Sequence, residues 1–163
     1  MARVYISLGS NIEPIRYLKA ALIDLELHFD ELQLSSVFES EAVGFDGTNF
    51  LNMVVAASTT LPIEAVVARF KLIEQDHGRV KGAKKFAART LDLDLLLYDD
   101  VVCQAPIALP RAEILYNAFV LWPLAEIAPQ LTHPVTNESY QILWDKYDKT
   151  QQNLWPIEFD WSA

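Results

Sequence analysis

At 163 residues, with 52% hydrophobic and 21% charged side chains, the chain is long enough to bury a core without disulfides or a structural metal. Its lone Cys103 closes no intrachain disulfide, and no stretch reads as a signal peptide or approaches the ~20 apolar residues of a membrane span, so a soluble cytoplasmic protein is expected. A net charge of −9 argues against gripping a long polyanion such as nucleic acid.

Val4–Leu8 is predicted as a first strand, broken by Gly9-Ser10-Asn11. Pro14 suits the first turn of a helix, and Ile15, Leu18, Leu22, Leu25 and Phe29 recur at helical spacing. Leu32–Ser40 reads as one strand, Glu41–Asn49 as a loop, and Phe50–Ser58 as a third strand. Pro62 opens a second helix with Ile63, Val66, Val67, Phe70 and Ile73 inward, and Gly78 ends it. Arg79–Ala88 shows no period and is predicted as a loop. In Asp92–Tyr98, leucines alternate with two aspartates, the period of a strand with one buried face. Short helices are expected over Asn117–Ala128 and Tyr140–Tyr147, and the tail with Trp155, Phe159 and Trp161 should dock. The order β-α-β-β-α-β matches a ferredoxin-like plan. Helices of the last third would cover the second face, giving a three-layer α/β/α sandwich with the aspartate strand in mid-sheet. The span 1–163 is expected to be one domain.

Asp92 and Asp94 project from one strand face, about 7 Å apart by strand rise. Such alternation ordinarily marks a solvated face. Against that, aspartate is disfavoured in strands, two on one face repel, and the flanking leucines read as interior. Mg²⁺ bridged to phosphate oxygens would resolve the conflict, so metal ligation is favoured. Just upstream, Arg79, Lys81, Lys84, Lys85 and Arg89 place five of the 13 basic residues in one short run. Alone such a run is a solvated loop; before a carboxylate strand it can neutralise a transferring phosphoryl group. Arg89, at the strand edge, is the strongest candidate of the five. Gly9-Ser10-Asn11 lacks the spacing and lysine of a P-loop and reads as a tight turn. Phe50 and Asn52 share a strand face; the amide either satisfies neighbouring backbone or reads the edge of a flat heterocycle. His28, His77 and His133 have no ligand spacing and are expected at the surface or at helix ends.

Together these residues resemble the 6-hydroxymethyl-7,8-dihydropterin pyrophosphokinase (HPPK) family of folate synthesis. Arg89-Thr-Leu-Asp92-Leu-Asp94-Leu fits its R-x-x-D-x-D pattern, and Glu74 with Gly78-Arg79 fits its E-x-x-x-G-R. Leu8-Gly9-Ser10-Asn11, Phe50-Leu51-Asn52 and Phe119 to Pro129 match further stretches in order, so the likeness runs from Val4 to Pro129. The resemblance implies an ATP-dependent pyrophosphokinase of the ferredoxin-like α/β/α fold. It would act on two small molecules, ATP and a pterin, without nucleic acid or membrane; a monomer is compatible. Asp92 and Asp94 would hold two Mg²⁺, while Arg79 and Arg89 stabilise the transferring group. Glu74, Lys81 and Arg111 would join them around ATP. Phe50 and Phe119 would flank the pterin, with Asn52 and the segment at Ser40 and Val43 bonding its edge.

The chain departs from the family pattern where Arg111 follows Pro110 in place of histidine, and where Asn117 replaces a frequent arginine. Arg111 can still grip phosphate. An alternative reading is a catalytically weakened paralogue that binds a pterin or nucleotide. A ferredoxin-like RNA-binding or interaction domain is opposed by the acidic balance.

Overall fold

The computed structural model describes residues 1–41, 49–78 and 90–161. Its strands are β1 (Ala2–Ser10), β2 (Asp30–Leu34), β3 (Val37–Ser40), β4 (Phe50–Thr59), β5 (Asp92–Tyr98) and β6 (Leu154–Ile157). The helices are α1 (Pro14–His28), α2 (Ile63–Asp76), α3 (Ala118–Ile127) and α4 (Tyr140–Lys146), with a short 3-10 helix at Ala112–Leu115. The strands form one antiparallel sheet ordered β5-β1-β4-β3-β6, and β2 also pairs with β4. No described helix is long and apolar enough to cross a membrane.

Both sheet faces are buried. On one, Val4, Ile6, Leu8 and Val55 pack with Leu18, Leu22 and Leu25 of α1 and Val66, Phe70 and Ile73 of α2. On the other, Val54, Leu96 and Leu97 pack with Val120, Leu121 and Leu124 of α3 and Tyr140 of α4. Burial of such aliphatic side chains, about 1.5–3 kcal/mol each when complete, holds the layers together. Pro14 does open α1, and Gly78 follows α2 with φ of 91°, a left-handed value that glycine adopts without a Cβ penalty.

The predicted strand Leu32–Ser40 is two strands, because one extra residue intervenes opposite β4: Leu34 faces Val55, whereas Phe38 faces Asn52. This bulge reverses the side-chain alternation. Leu34 and Val37 face the α1/α2 side, and Phe38 turns to the α3 side, where its ring lies 4.8 Å from that of Trp122. Polar groups secure the break. Ser35 N–H donates to Val54 O at 2.9 Å, Ser35 Oγ accepts from Val54 N–H at 2.9 Å, and Ser36 N–H donates to Glu126 Oε1 at 2.5 Å.

The aspartate strand is not central. Among the described residues β5 pairs with β1 alone and forms an edge. Its outward backbone groups are met locally: Leu93 N–H donates to the Glu74 carboxylate at 2.8 Å, and Leu96 O accepts from Arg111 N–H at 3.0 Å. Strand β1 likewise runs through Gly9 and Ser10 instead of breaking there. The tail docks in part: β6 extends the sheet on β3 and Phe159 packs against the α1/α2 core, whereas Trp155 and Trp161 stay exposed.

His133 is not a surface residue but is 3% exposed. Its Nδ1 accepts from the N–H groups of Val135 and Thr136, both at 3.1 Å, so that nitrogen carries no proton. Burial pushes the imidazole below its ordinary range. The unfolded chain therefore binds this proton more readily, and the contribution of His133 is present above about pH 6.5 and lost as pH falls through the folded value. Urea midpoints measured across this window should fall with acidification, and His133→Asn should flatten that slope.

Candidate active site

Backbone register brings residues distant in sequence into one row. Asp92 on β5 pairs with Gly9 on β1, Gly9 with Asn52 on β4, and Asn52 with Phe38 on β3. In the adjoining rows Asp94 pairs with Ser7 and Phe50 with Ser40. Directly paired residues, and those two along a regular strand, share a face. Asp92, Asp94, Asn52, Phe50 and Ser40 therefore all lie on the α3 side of the sheet. Phe119, near the start of α3, packs half-buried against the core of that side.

The central part of this face is buried and hydrogen-bonded. Asn52 and Ser40 are 5% and 7% exposed, and Asn52 Nδ2 donates to Ser40 Oγ at 2.8 Å. Gly9 makes room for that amide: a Cβ on Gly9 would stand 3.1 Å from Asn52 Oδ1. A glycine inside a strand commonly marks such a close approach.

The β5 end is charged. Arg111 Nη2 lies 3.3 Å from Asp94 Oδ1 and 3.1 Å from Glu113 Oε1, and Arg111 Nε also donates to Glu113 at 3.2 Å. Burial disfavours the guanidinium charge, but Asp94, Glu113 and Asp92 outweigh it and hold the pKa above the ordinary arginine value. A cavity of about 240 Å³ at the β5 edge lies against α2, with half of its lining apolar, as at Phe70 and Leu93, and the other half Lys71, Glu74, Asp92, Asp94 and Arg111. Asp92 and Asp94 offer hard oxygen donors beside this space, and Asp94 is 27% exposed. Mg²⁺ typically takes one or two carboxylates and completes its shell with water and phosphate, so this donor pair fits it. No cluster of three or more His, Cys, Asp or Glu suited to a metal occurs among the described residues.

The structure thus gathers Glu74, Asp92, Asp94 and Arg111 around one cavity at the β5 edge, and sets Ser40, Phe50 and Asn52 with the two aspartates on the α3-side face. Arg79, Lys81, Arg89 and Val43 lie outside the described residues, as do Lys84 and Lys85. Sequence reasoning missed Gly9 as a spacer, although glycine within a strand was its signal. It also missed Lys71, Glu113 and the Phe38–Trp122 pair, which carried no local signal. Gly9→Ala should cost about 1 kcal/mol through overpacking against Asn52. In an Asn52→Ala background the same change should cost clearly less, as a double-mutant cycle by urea denaturation would measure.

Residues 5–129 match the family model for 7,8-dihydro-6-hydroxymethylpterin-pyrophosphokinase (HPPK). The chain is 37% identical over 138 residues to the 2-amino-4-hydroxy-6-hydroxymethyldihydropteridine pyrophosphokinase of Aquifex aeolicus, covering 83% of this chain and 86% of that one. It is 33% identical over 156 residues to the protein of the same name from Synechocystis, covering 93% and 78%. The fold is similar to the Plasmodium falciparum HPPK-DHPS crystal structure, with a TM-score of 0.71 at 13% identity over 90% of this chain. This chain spans 44% of that longer one. By the matched span and the identity to two relatives covered over most of their length, the chain belongs to the HPPK family.

Proposed function

We infer that this protein is an ATP-dependent pyrophosphokinase of folate biosynthesis. It transfers pyrophosphate from ATP to the hydroxymethyl group of 6-hydroxymethyl-7,8-dihydropterin and releases AMP. Family membership and the names of its relatives support the reaction. The observation that carries the assignment of residues is the sheet register. It puts the Asp92/Asp94 carboxylates and the buried Asn52–Ser40 pair on one face, so two substrates bound there would meet.

On the pterin side, Asn52 with the segment at Ser40 and Val43 bonds the edge of the heterocycle, and Phe50 and Phe119 border its plane. A buried amide suits this task, because a ligand lacking matching groups would leave it unsatisfied. On the nucleotide side, Glu74, Lys81 and Arg111 flank ATP, and Arg79 and Arg89 stabilise the transferring group. Asp92 and Asp94 would hold two Mg²⁺, whose chemistry when bound is to offset phosphate charge.

The pterin hydroxyl attacks the β-phosphorus in line. A new oxygen–phosphorus bond forms, the α–β bridge breaks, and the bridging oxygen departs with AMP while the hydroxyl proton passes to solvent. No covalent protein intermediate is required. The role of the chain is to align the two substrates and surround the reacting phosphates with fixed charge.

The ferredoxin-like reading of the fold is supported by a strand order that sets the last strand of the β-α-β-β-α-β series beside the first. Helices on both sheet faces support the three-layer α/β/α description.

Asp94→Ala should lower AMP formation from ATP and the pterin by a hundredfold or more, roughly the loss of one main charge-organising group. Undiminished turnover would remove the carboxylates from the site. Arg89→Ala should reduce kcat with little change in either KM, because its interaction is realised in the transition state. Steady-state AMP assays separate the two parameters.

A further inference from the structure

One side chain beyond the family-matched residues 5–129 connects to Arg111 through a chain of hydrogen bonds. Gln152 lies between α4 and β6. Its Oε1 accepts from Ala118 N–H at 2.7 Å, at the first residue of α3, and its Nε2 donates to Asn117 Oδ1 at 3.0 Å. Asn117 occupies the N-cap of α3, yet its side chain makes no capping bond. Its Nδ2 donates instead to Glu113 Oε2 at 3.2 Å. Glu113 Oε1 holds the guanidinium of Arg111, which also meets Asp94.

We propose that Gln152 is a positioning residue for Arg111, acting through Asn117 and Glu113. The inference rests on the assignment of Arg111 to the ATP subsite. Arg111 Nη2 meets both carboxylates at once, so a shift of Glu113 would move the guanidinium relative to Asp94. Fixing Glu113 decides how far the guanidinium reaches towards Asp94 and the cavity.

The relay has only one workable polarity. A backbone N–H only donates, so Gln152 must turn its oxygen to Ala118 and its amino group to Asn117. Asn117 must then turn its own amino group to Glu113. Reversing either amide would set an oxygen against an oxygen. The two amides thus pass an orientation from the backbone of α3 to a carboxylate that itself has no directional preference. The frequent arginine of the family at position 117 could not take this part, because it has no acceptor for Gln152.

Gln152→Glu separates the two bonds of this side chain. The variant keeps an acceptor for Ala118 N–H, with a negative charge favourable at a helix N-terminus, but it cannot donate to Asn117. The melting temperature should stay within about 2 °C of wild type, while KM for ATP rises about threefold to tenfold, the scale of one hydrogen bond. KM for the pterin and kcat should move by less than about twofold on the same scale. In an Asn117→Ala background, Gln152→Glu should add nothing further to KM for ATP. Asn117→Asp, which loses the donor to Glu113, should raise KM for ATP on its own. An unchanged KM for ATP in Gln152→Glu, or an effect that persists in full without Asn117, would overturn the relay. Wild-type protein that forms no AMP from ATP and pterin would overturn the pyrophosphokinase reading itself, and this inference with it.

Discussion

Hydrogen-bonded register across four strands is the constraint on which the candidate site depends. Asp92, Gly9, Asn52 and Phe38 come from four separate strands, and only their pairing makes them neighbours. Because side chains alternate at a period of two, a slip of one residue in any pair would send a member of the row to the opposite face. The bulge between Leu34 and Phe38 is such a shift, built in. Without it Phe38 and Ser40 would continue on the α1/α2 side, and Asn52 would lose the hydroxyl it donates to. Ser35, Ser36 and Glu126 hold the bulge to β4 and α3.

Charge is handled by position as much as by pairing. The chain carries a net charge of −9, yet the cavity at the β5 edge places Lys71 and Arg111 beside Asp92, Asp94 and Glu74. An edge strand gives the carboxylates access to water and to a ligand, which a central strand between two helical layers would deny them. It also exposes backbone groups, and here the Glu74 carboxylate and the Arg111 N–H meet them. Both residues therefore have a structural bond to β5 as well as a place at the cavity wall. The same two residues thus fasten the β5 edge and line the cavity.

The segment after α4 contributes more than a closing strand. β6 adds to the sheet at β3, and Gln152, just before it, caps the first backbone donor of α3. Helix α3 covers the face that bears the aspartates and the Asn52–Ser40 pair, through Val120, Leu121 and Leu124. Its N-terminus is thus fixed by a residue that the family-matched span does not include.

Local pattern alone determined much of this protein. The spacing of Ile15 to Phe29 and of Ile63 to Ile73 marked two helices, and the alternation around Asp92 and Asp94 put both carboxylates on one strand face. The motifs from Gly9 to Pro129 pointed to the family, because each is a short, contiguous signal. Only tertiary structure decided that β5 lies at an edge, that Leu32–Ser40 divides in two, that His133 is buried, and that Gly9 faces Asn52. It alone joined Gln152 to Arg111. Helical and strand periods are written in neighbouring residues. Register, burial and relays between distant amides arise when separate segments compete for the same partners, and a linear pattern holds no record of which partner wins.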